Sequence, residues 1–353
     1  MKSKRKEKLV NGLLALISLC AAFVVCELVF RHRYAHYFYA PRDEIQTIQS
    51  FLVPHPTLGF TWRKNIDYNG GIILKSEDVR FEPLSTDPQG FLNHPEAIAR
   101  CAKGDAIDVI GLGDSFVEHG CYALYEYFRD AGLFYYSMGI HRQAPPQYNI
   151  ILKEYAAPHK PTWVVYGLFE NDFAETVDYE NWKRSGLDWF TYHSGTWCGP
   201  PLGASASMRF LHKHLRGTIA FTKVLREKLD IPPAASARQS GSEPDKVLKY
   251  IRDAHEYAET HGIRFLLVLI PSKITTLDAP TPESTRYDAL VAQLAGTSIH
   301  LVDLRNVFAA AENPASLYYK IDGHWNETGI RAAAAAVLDC IRNSDISPEE
   351  KTP

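Results

Sequence analysis

The side chains best suited to chemistry in this chain are a serine and a histidine far apart in sequence. Ser115 stands in Val109-Ile-Gly-Leu-Gly-Asp-Ser-Phe116, and His324 in Asp322-Gly-His-Trp-Asn-Glu-Thr-Gly329. A serine hydroxyl attacks a carbonyl poorly unless a base takes its proton and donors stabilise the oxyanion. His324 is the candidate base. Asp322, two residues earlier, can hold the far imidazole nitrogen and stabilise its cationic form. The oxyanion donors expected are the N–H of Ser115, the N–H of Gly139 and the side-chain amide of Asn171. His119 and His141 are rival bases, but His119 follows Ser115 by only four residues, which makes a correct joint geometry harder.

Each residue has a plainer reading. Ser115 can be a helix N-cap, Asn171-Asp172 an ordinary turn and Asp322 a loop-capping carboxylate. Asp114 is expected to brace the turn rather than react. Asn326-Glu-Thr328 matches a glycosylation sequon, but beside His324 it reads as helix-start chemistry.

Positioning such residues needs strand ends that converge. Strand-like apolar runs occur at 107–110, 133–137, 162–168, 263–270 and 300–304, and helical patterns at 122–131, 146–157, 245–261, 282–295 and 326–342. Within 245–261, Val247, Leu248, Ile251, Ala254 and Ala258 form one apolar stripe at helical spacing. Alternation of β and α predicts a three-layer α/β/α domain with a mostly parallel five-stranded sheet, in the flavodoxin-like order 2-1-3-4-5. Ser115, Gly139 and Asn171 then all follow strand ends, on the edge where open sheets place their sites, and the last loop returns His324 there.

The remainder of the chain reads as follows. Lys2, Lys4, Arg5, Lys6 and Lys8 make a basic tail over 1–8, and 9–30 is an apolar run whose one charge is Glu27. As a helix it is about 33 Å long, enough to cross a bilayer core of about 30 Å. The basic flank predicts a cytoplasmic N-terminus and an extracytoplasmic main domain. No good small-x-small site supports a cleaved signal peptide, so the run reads as an uncleaved anchor. Residues 31–104 look like an irregular, β-rich lead-in capping a main domain at 105–345, and 346–353 form a tail. Residues 173–244 read as an insertion. It holds Trp182, Trp189, Tyr192 and Trp197, a basic amphipathic pattern at 211–229 and a Pro/Ser/Ala-rich linker at 232–242. Its aromatics either stack on sugar rings or pack as a small subdomain, and its amphipathic part is a candidate membrane-surface helix.

Composition narrows the partners. The 353 residues are 46% hydrophobic and carry a formal charge of −3. Seven basic residues fall within 1–34, which leaves the body acidic at −8 and argues against a nucleic-acid partner. Cys101, Cys121, Cys198 and Cys340 allow three pairings if oxidised. No close Cys/His cluster suggests a metal site, and no cofactor is implied.

With these blocks in view, the chain resembles the SGNH (GDSL-type) hydrolases over about 105–342. Gly113-Asp-Ser-Phe116 is similar to the first block, 137–147 to the Gly-containing second, Phe169-Glu-Asn-Asp172 to the third and Asp322-Gly-His-Trp-Asn326 to the last. The anchor and the Gly59-Phe-Thr-Trp62 segment resemble membrane-tethered members linked to bacterial surface polysaccharides. The resemblance implies Ser115 as nucleophile, His324 as base, Asp322 as its orienter, and Ser115, Gly139 and Asn171 as oxyanion donors. Two departures stand out. One residue separates Asp322 from His324 where the family has two, a spacing closer to the polysaccharide O-acetyltransferase-like branch. Phe169 stands where the third block has glycine, which narrows the pocket. The expectation is a membrane-anchored serine esterase acting on O-acyl groups of an envelope or exported carbohydrate. Transfer of the acyl group to a sugar hydroxyl is the alternative, and a non-catalytic carbohydrate-binding scaffold is the third reading.

Overall fold

The computed structural model describes residues 11–12, 15, 18–25, 51–68, 84–189, 192, 243–278, 280–319 and 323–345. The chain divides into two units. The described residues of the first are residue 192 and parts of the N-terminal run, where 18–25 are helical with Leu19, Phe23, Val24 and Val25 exposed. Among the described residues no helix is long and apolar enough to cross a membrane, and half of the expected 9–30 anchor lies outside them. So do Trp197, Cys198 and the 211–229 and 232–242 segments.

The second unit contains a parallel five-stranded sheet. Its strands are β5 (Val109–Leu112), β6 (Tyr135–Ser137), β7 (Trp163–Phe169), β8 (Arg264–Ile270) and β9 (His300–Asp303), in the order β6-β5-β7-β8-β9. That is the expected 2-1-3-4-5 arrangement. Every side chain of β5 and most of β7 and β8 are buried, as two-sided covering requires, so these strands read as continuous apolar runs rather than alternating ones.

Helices cover both faces. One layer packs α3 (Cys121–Asp130) against α10 (Glu327–Asp345), with α9 (Leu304–Ala309) beside it. The other packs α6 (Glu243–Thr260) against α4 (Pro145–Ile151), α5 (Asp172–Ser185) and α8 (Pro282–Leu294). The predicted stripe of α6 is the face it buries: Val247, Ile251, Ala254 and Ala258 are fully covered. The expected insertion at 173–244 opens inside α5, so its first turns are a sheet-covering helix. Trp182 and Trp189 are 4% and 7% exposed and meet edge to face. They are packing groups and do not present faces for sugar stacking.

The lead-in is small and irregular. It holds a hairpin of β1 (Leu52–His55) and β2 (Gly59–Trp62), a second pair of β3 (Asp67–Tyr68) and β4 (Leu84–Ser85), and α1 (Pro95–Ala102). It is tied to the second block by side-chain-to-backbone bonds. Gln147 Nε2 donates to Leu58 O and Gln143 Nε2 to Phe60 O, at 3.0 and 3.2 Å. Fully buried Asn93 clamps Ser137, its Nδ2 donating to Ser137 O and its Oδ1 accepting from Ser137 N, both at 2.8 Å. Cys101 and Cys340 are free thiols.

Candidate active site

Ser115 opens α2 (Ser115–His119), a short helix leaving β5 after Gly113-Asp114. Asp114 is the N-cap: its Oδ1 accepts from Phe116 N at 3.0 Å, the bond that satisfies an otherwise orphaned helix donor. Ser115 Oγ lies 3.5 Å from Asp114 Oδ2. Full burial pushes the Asp114 carboxyl up to about 6. The brace expected of Asp114 is therefore an interior carboxylate beneath the serine.

Glycines let α2 sink into the strand ends. A Cβ on Gly139 would lie 2.8 Å from Glu118 N and 2.9 Å from Val117 Cβ, and one on Gly113 2.4 Å from Val117 Cγ2. Gly139 is bracketed by two bonds to the first block, Met138 N to Gly111 O and Ile140 N to Gly113 O. It therefore lies alongside the serine turn. Its own N–H has a long contact of 3.4 Å to Ser137 Oγ.

His324 reaches the same place from the loop before α10. Its Nε2 is 2.8 Å from Ser115 Oγ, across 209 residues of chain. The neighbouring Trp325 is buried and donates its Nε1–H to Phe116 O at 3.1 Å. Asn326 ties the loop down: its Nδ2 donates to Ser316 O and Tyr318 O, and its Oδ1 accepts from Thr328 N and Gly329 N. It is helix-start chemistry, as its position suggests. Phe116 tilts against the His324 ring with centroids 4.8 Å apart, and Phe169 covers Phe116 at 4.1 Å. Phe169 thus fills space beside the base. Asp322 lies outside the described residues.

The rival histidines make other contacts. His141 contacts buried Glu118 through its Nδ1 at 3.0 Å and its backbone N–H. Burial alone would raise the Glu118 carboxyl, but the His141 charge and hydrogen bonds hold it below the usual range. The His119 ring lies against His324, centroids 4.7 Å apart.

The third block ends β7. Asn171 precedes the first turn of α5 and its Oδ1 is buried without a partner. Asp172, fully buried, accepts from Phe169 N and Tyr148 OH, each at 2.9 Å. Burial, with Asp114 and Glu175 nearby, drives its carboxyl well above the ordinary value. The neighbouring Glu170 accepts from Ser272 N, tying this turn to the loop after β8. Sequence reasoning gave no role to Glu175, one turn along α5. Burial pushes it up to about 8, and its Oε2 is also unpartnered. Its i, i+4 relation to Asn171 was the available signal. Among the described residues no group of His, Cys, Asp and Glu could hold a metal.

Residues 201–352, which include His324 but not Ser115, match the family model described as ALGX, SGNH hydrolase-like domain, acetyltransferase AlgX. No curated protein matches the chain. Among solved structures, a putative acylhydrolase from Bacteroides fragilis is 17% identical, with a TM-score of 0.41, over 67% of this chain and 87% of that one. A GDSL-like lipase from Bacteroides thetaiotaomicron is 15% identical, with a TM-score of 0.41, over 70% and 98%. An acetyl xylan esterase is 16% identical, with a TM-score of 0.40, over 68% and 100%. Over residues 201–352 this chain is thus similar to the SGNH hydrolase-like domain of an acetyltransferase family.

Proposed function

We propose that the protein is a membrane-anchored, extracytoplasmic serine acyl-enzyme catalyst acting on O-acyl groups of an envelope or exported carbohydrate. The observation that carries the chemistry is the 2.8 Å approach of His324 Nε2 to Ser115 Oγ at the carboxyl edge of the sheet. His324 takes the hydroxyl proton as Ser115 attacks the ester carbonyl. The oxyanion is met by the N–H groups of Ser115 and Gly139 and the Asn171 amide. Asp322 holds the imidazolium, and His324 then protonates the departing alcohol. Water attacks the acyl-enzyme in the same way and releases the acid. The basic tail and the apolar 9–30 run support the anchor, and the exposed apolar residues of 18–25 accord with it.

A second reading has support of its own. The matching family model is described as an acetyltransferase, and a sugar hydroxyl in place of water at the second step gives O-acyl transfer with the same residues.

One experiment tests both. The full chain is treated with a fluorophosphonate, with Ser115→Ala and His324→Ala beside it. Wild type takes one adduct, Ser115→Ala none, and His324→Ala labels slowly. A folded wild type that takes no adduct overturns the proposal. With p-nitrophenyl acetate as donor, hydrolysis releases acetate and p-nitrophenol in equal amounts whatever carbohydrate is added. Transfer leaves acetate behind p-nitrophenol when a hydroxyl acceptor is present.

A further inference from the structure

The third block contains two buried oxygens with nothing to accept from. Asn171 Oδ1 and Glu175 Oε2 lie one turn apart on the same helix, joined by the backbone bond from Glu175 N to Asn171 O at 2.9 Å. Side chains at this spacing are neighbours, and the Asn171 side chain hydrogen-bonds the Glu175 carboxyl in a way that favours its charged form. Each of the two unpartnered oxygens still lacks a donor, and a buried acceptor left unsatisfied is costly. One proton on Glu175 resolves this, because a carboxylic acid donates. The acid O–H can then meet Asn171 Oδ1, and both N–H groups of that amide are left for another acceptor.

We propose that Glu175 is a positioning residue that works in its protonated form, donating to Asn171 Oδ1 and so holding the Asn171 amide N–H toward the oxygen of the reacting carbonyl. The inference rests on the serine acyl-enzyme reading for what that amide does, but the coupling of Glu175 to Asn171 stands independently of it. Ionised, Glu175 attracts the amide N–H to itself and withdraws it from the oxyanion.

The surroundings favour the neutral acid. Burial is the main cause, and Asp114 from the end of β5 adds a like charge, as does Asp178 farther along α5. Asp172 and Tyr148, the latter from α4, also face it. Opposing them are the Asn171 hydrogen bond and, more strongly, Arg142 in the second block. Arg142 sits in the left-handed region at φ 58°. The balance leaves Glu175 at about 8, so it is mostly protonated at neutral pH and loses its proton above that value. The predicted effect is therefore a loss of catalysis on the alkaline side.

The test uses the full chain and p-nitrophenyl acetate between about pH 5.5 and 10, with Ser115→Ala as blank. Wild-type Ser115-dependent kcat/KM should fall above pH about 8. Glu175→Ala should lower it by about 10–100-fold at neutral pH, up to the lower end of what losing one oxyanion donor outright costs (about 100–1000-fold), and mainly through kcat. Glu175→Gln, whose amide still donates, should restore most of that rate and abolish the alkaline fall. In an Asn171→Ala background Glu175→Ala should have little further effect. The second readout does not need turnover. The Asn171 side-chain amide signal of asparagine-labelled protein, assigned by its absence in Asn171→Ala, should titrate near pH 8 in wild type and stay flat in Glu175→Gln. An alkaline fall that persists in Glu175→Gln, multiplicative effects of the two alanines, or a flat amide signal in wild type each overturn the proposal. A titrating amide in a protein with no ester turnover would instead overturn the catalytic reading and leave the coupling intact.

Discussion

Gly139→Ala is the sharpest test of how the serine is positioned. The added Cβ would sit 2.8 Å from Glu118 N and 2.9 Å from Val117 Cβ and Cγ1, where ordinary contact begins near 3.4 Å. Both neighbours belong to the helix that begins with Ser115, and neither is the loose end of a flexible side chain. Relief therefore requires that helix to move by about 0.6 Å or the second block to retreat by as much, and interiors packed to crystal density transmit such shifts. Misplacing a reacting group by about 1 Å can cost about 100-fold, so a loss of about 10–100-fold in fluorophosphonate labelling rate is expected. Overpacking should also lower stability by about 1–3 kcal/mol. The control is Leu294→Ala, at the end of α8, whose side chain is 5% exposed. It should be destabilised by about 2–5 kcal/mol yet label at the wild-type rate while folded. Equal labelling of Gly139→Ala and wild type, or an equal loss in Leu294→Ala, would refute the positioning argument.

Three further outcomes are expected. Phe169→Ala removes the ring lying on Phe116 and should shift preference from acetate toward butyrate esters by about 10-fold, the scale of added methylenes in a pocket; an unchanged ratio of kcat/KM values would place Phe169 away from the substrate. Asn93→Ala breaks two buried bonds to Ser137 and should cost about 2–4 kcal/mol in urea unfolding, and a change below about 0.5 kcal/mol would show the clamp to be dispensable. Asp114 is raised by burial from 3.8 to about 6, so its neutral form contributes stability below pH 3.8 that is lost as pH rises through 6. Asp114→Asn keeps a good N-cap, and its unfolding midpoint should fall less than wild type between those values. Parallel curves would assign the pH dependence to other groups.

Much of the sheet was legible because its signals are local. Apolar runs marked all five strands, and the stripe of α6 marked the face it buries. The meeting of Ser115 and His324 was legible for a related reason: Gly113-Asp-Ser115 and Gly323-His324 each stand beside a regular element, and the fold order brings them to one edge. What escaped the sequence depends on partners far along the chain. Nothing local in Asn93 says that it grips Ser137, and Gln143 and Gln147 look like ordinary polar residues until Leu58 and Phe60 offer their carbonyls. Helix α5 was hidden because Thr176, Tyr179 and Trp182 are its covered face, which blurs the apolar period into a polar and aromatic one. Glu175 drew no attention because burial of a carboxylate is a tertiary property.

The distance in sequence between Ser115 and His324 has a consequence for a chain made from its N-terminus. The nucleophile is synthesised 209 residues before its base, and the Trp325 to Phe116 bond spans the same interval. Contacts of such separation are slow to form and depend on the intervening sheet being assembled. On the proposed mechanism, a nascent chain presents a serine with an inert hydroxyl until the loop carrying His324 has docked. Activity would then report that the sheet and that loop have folded.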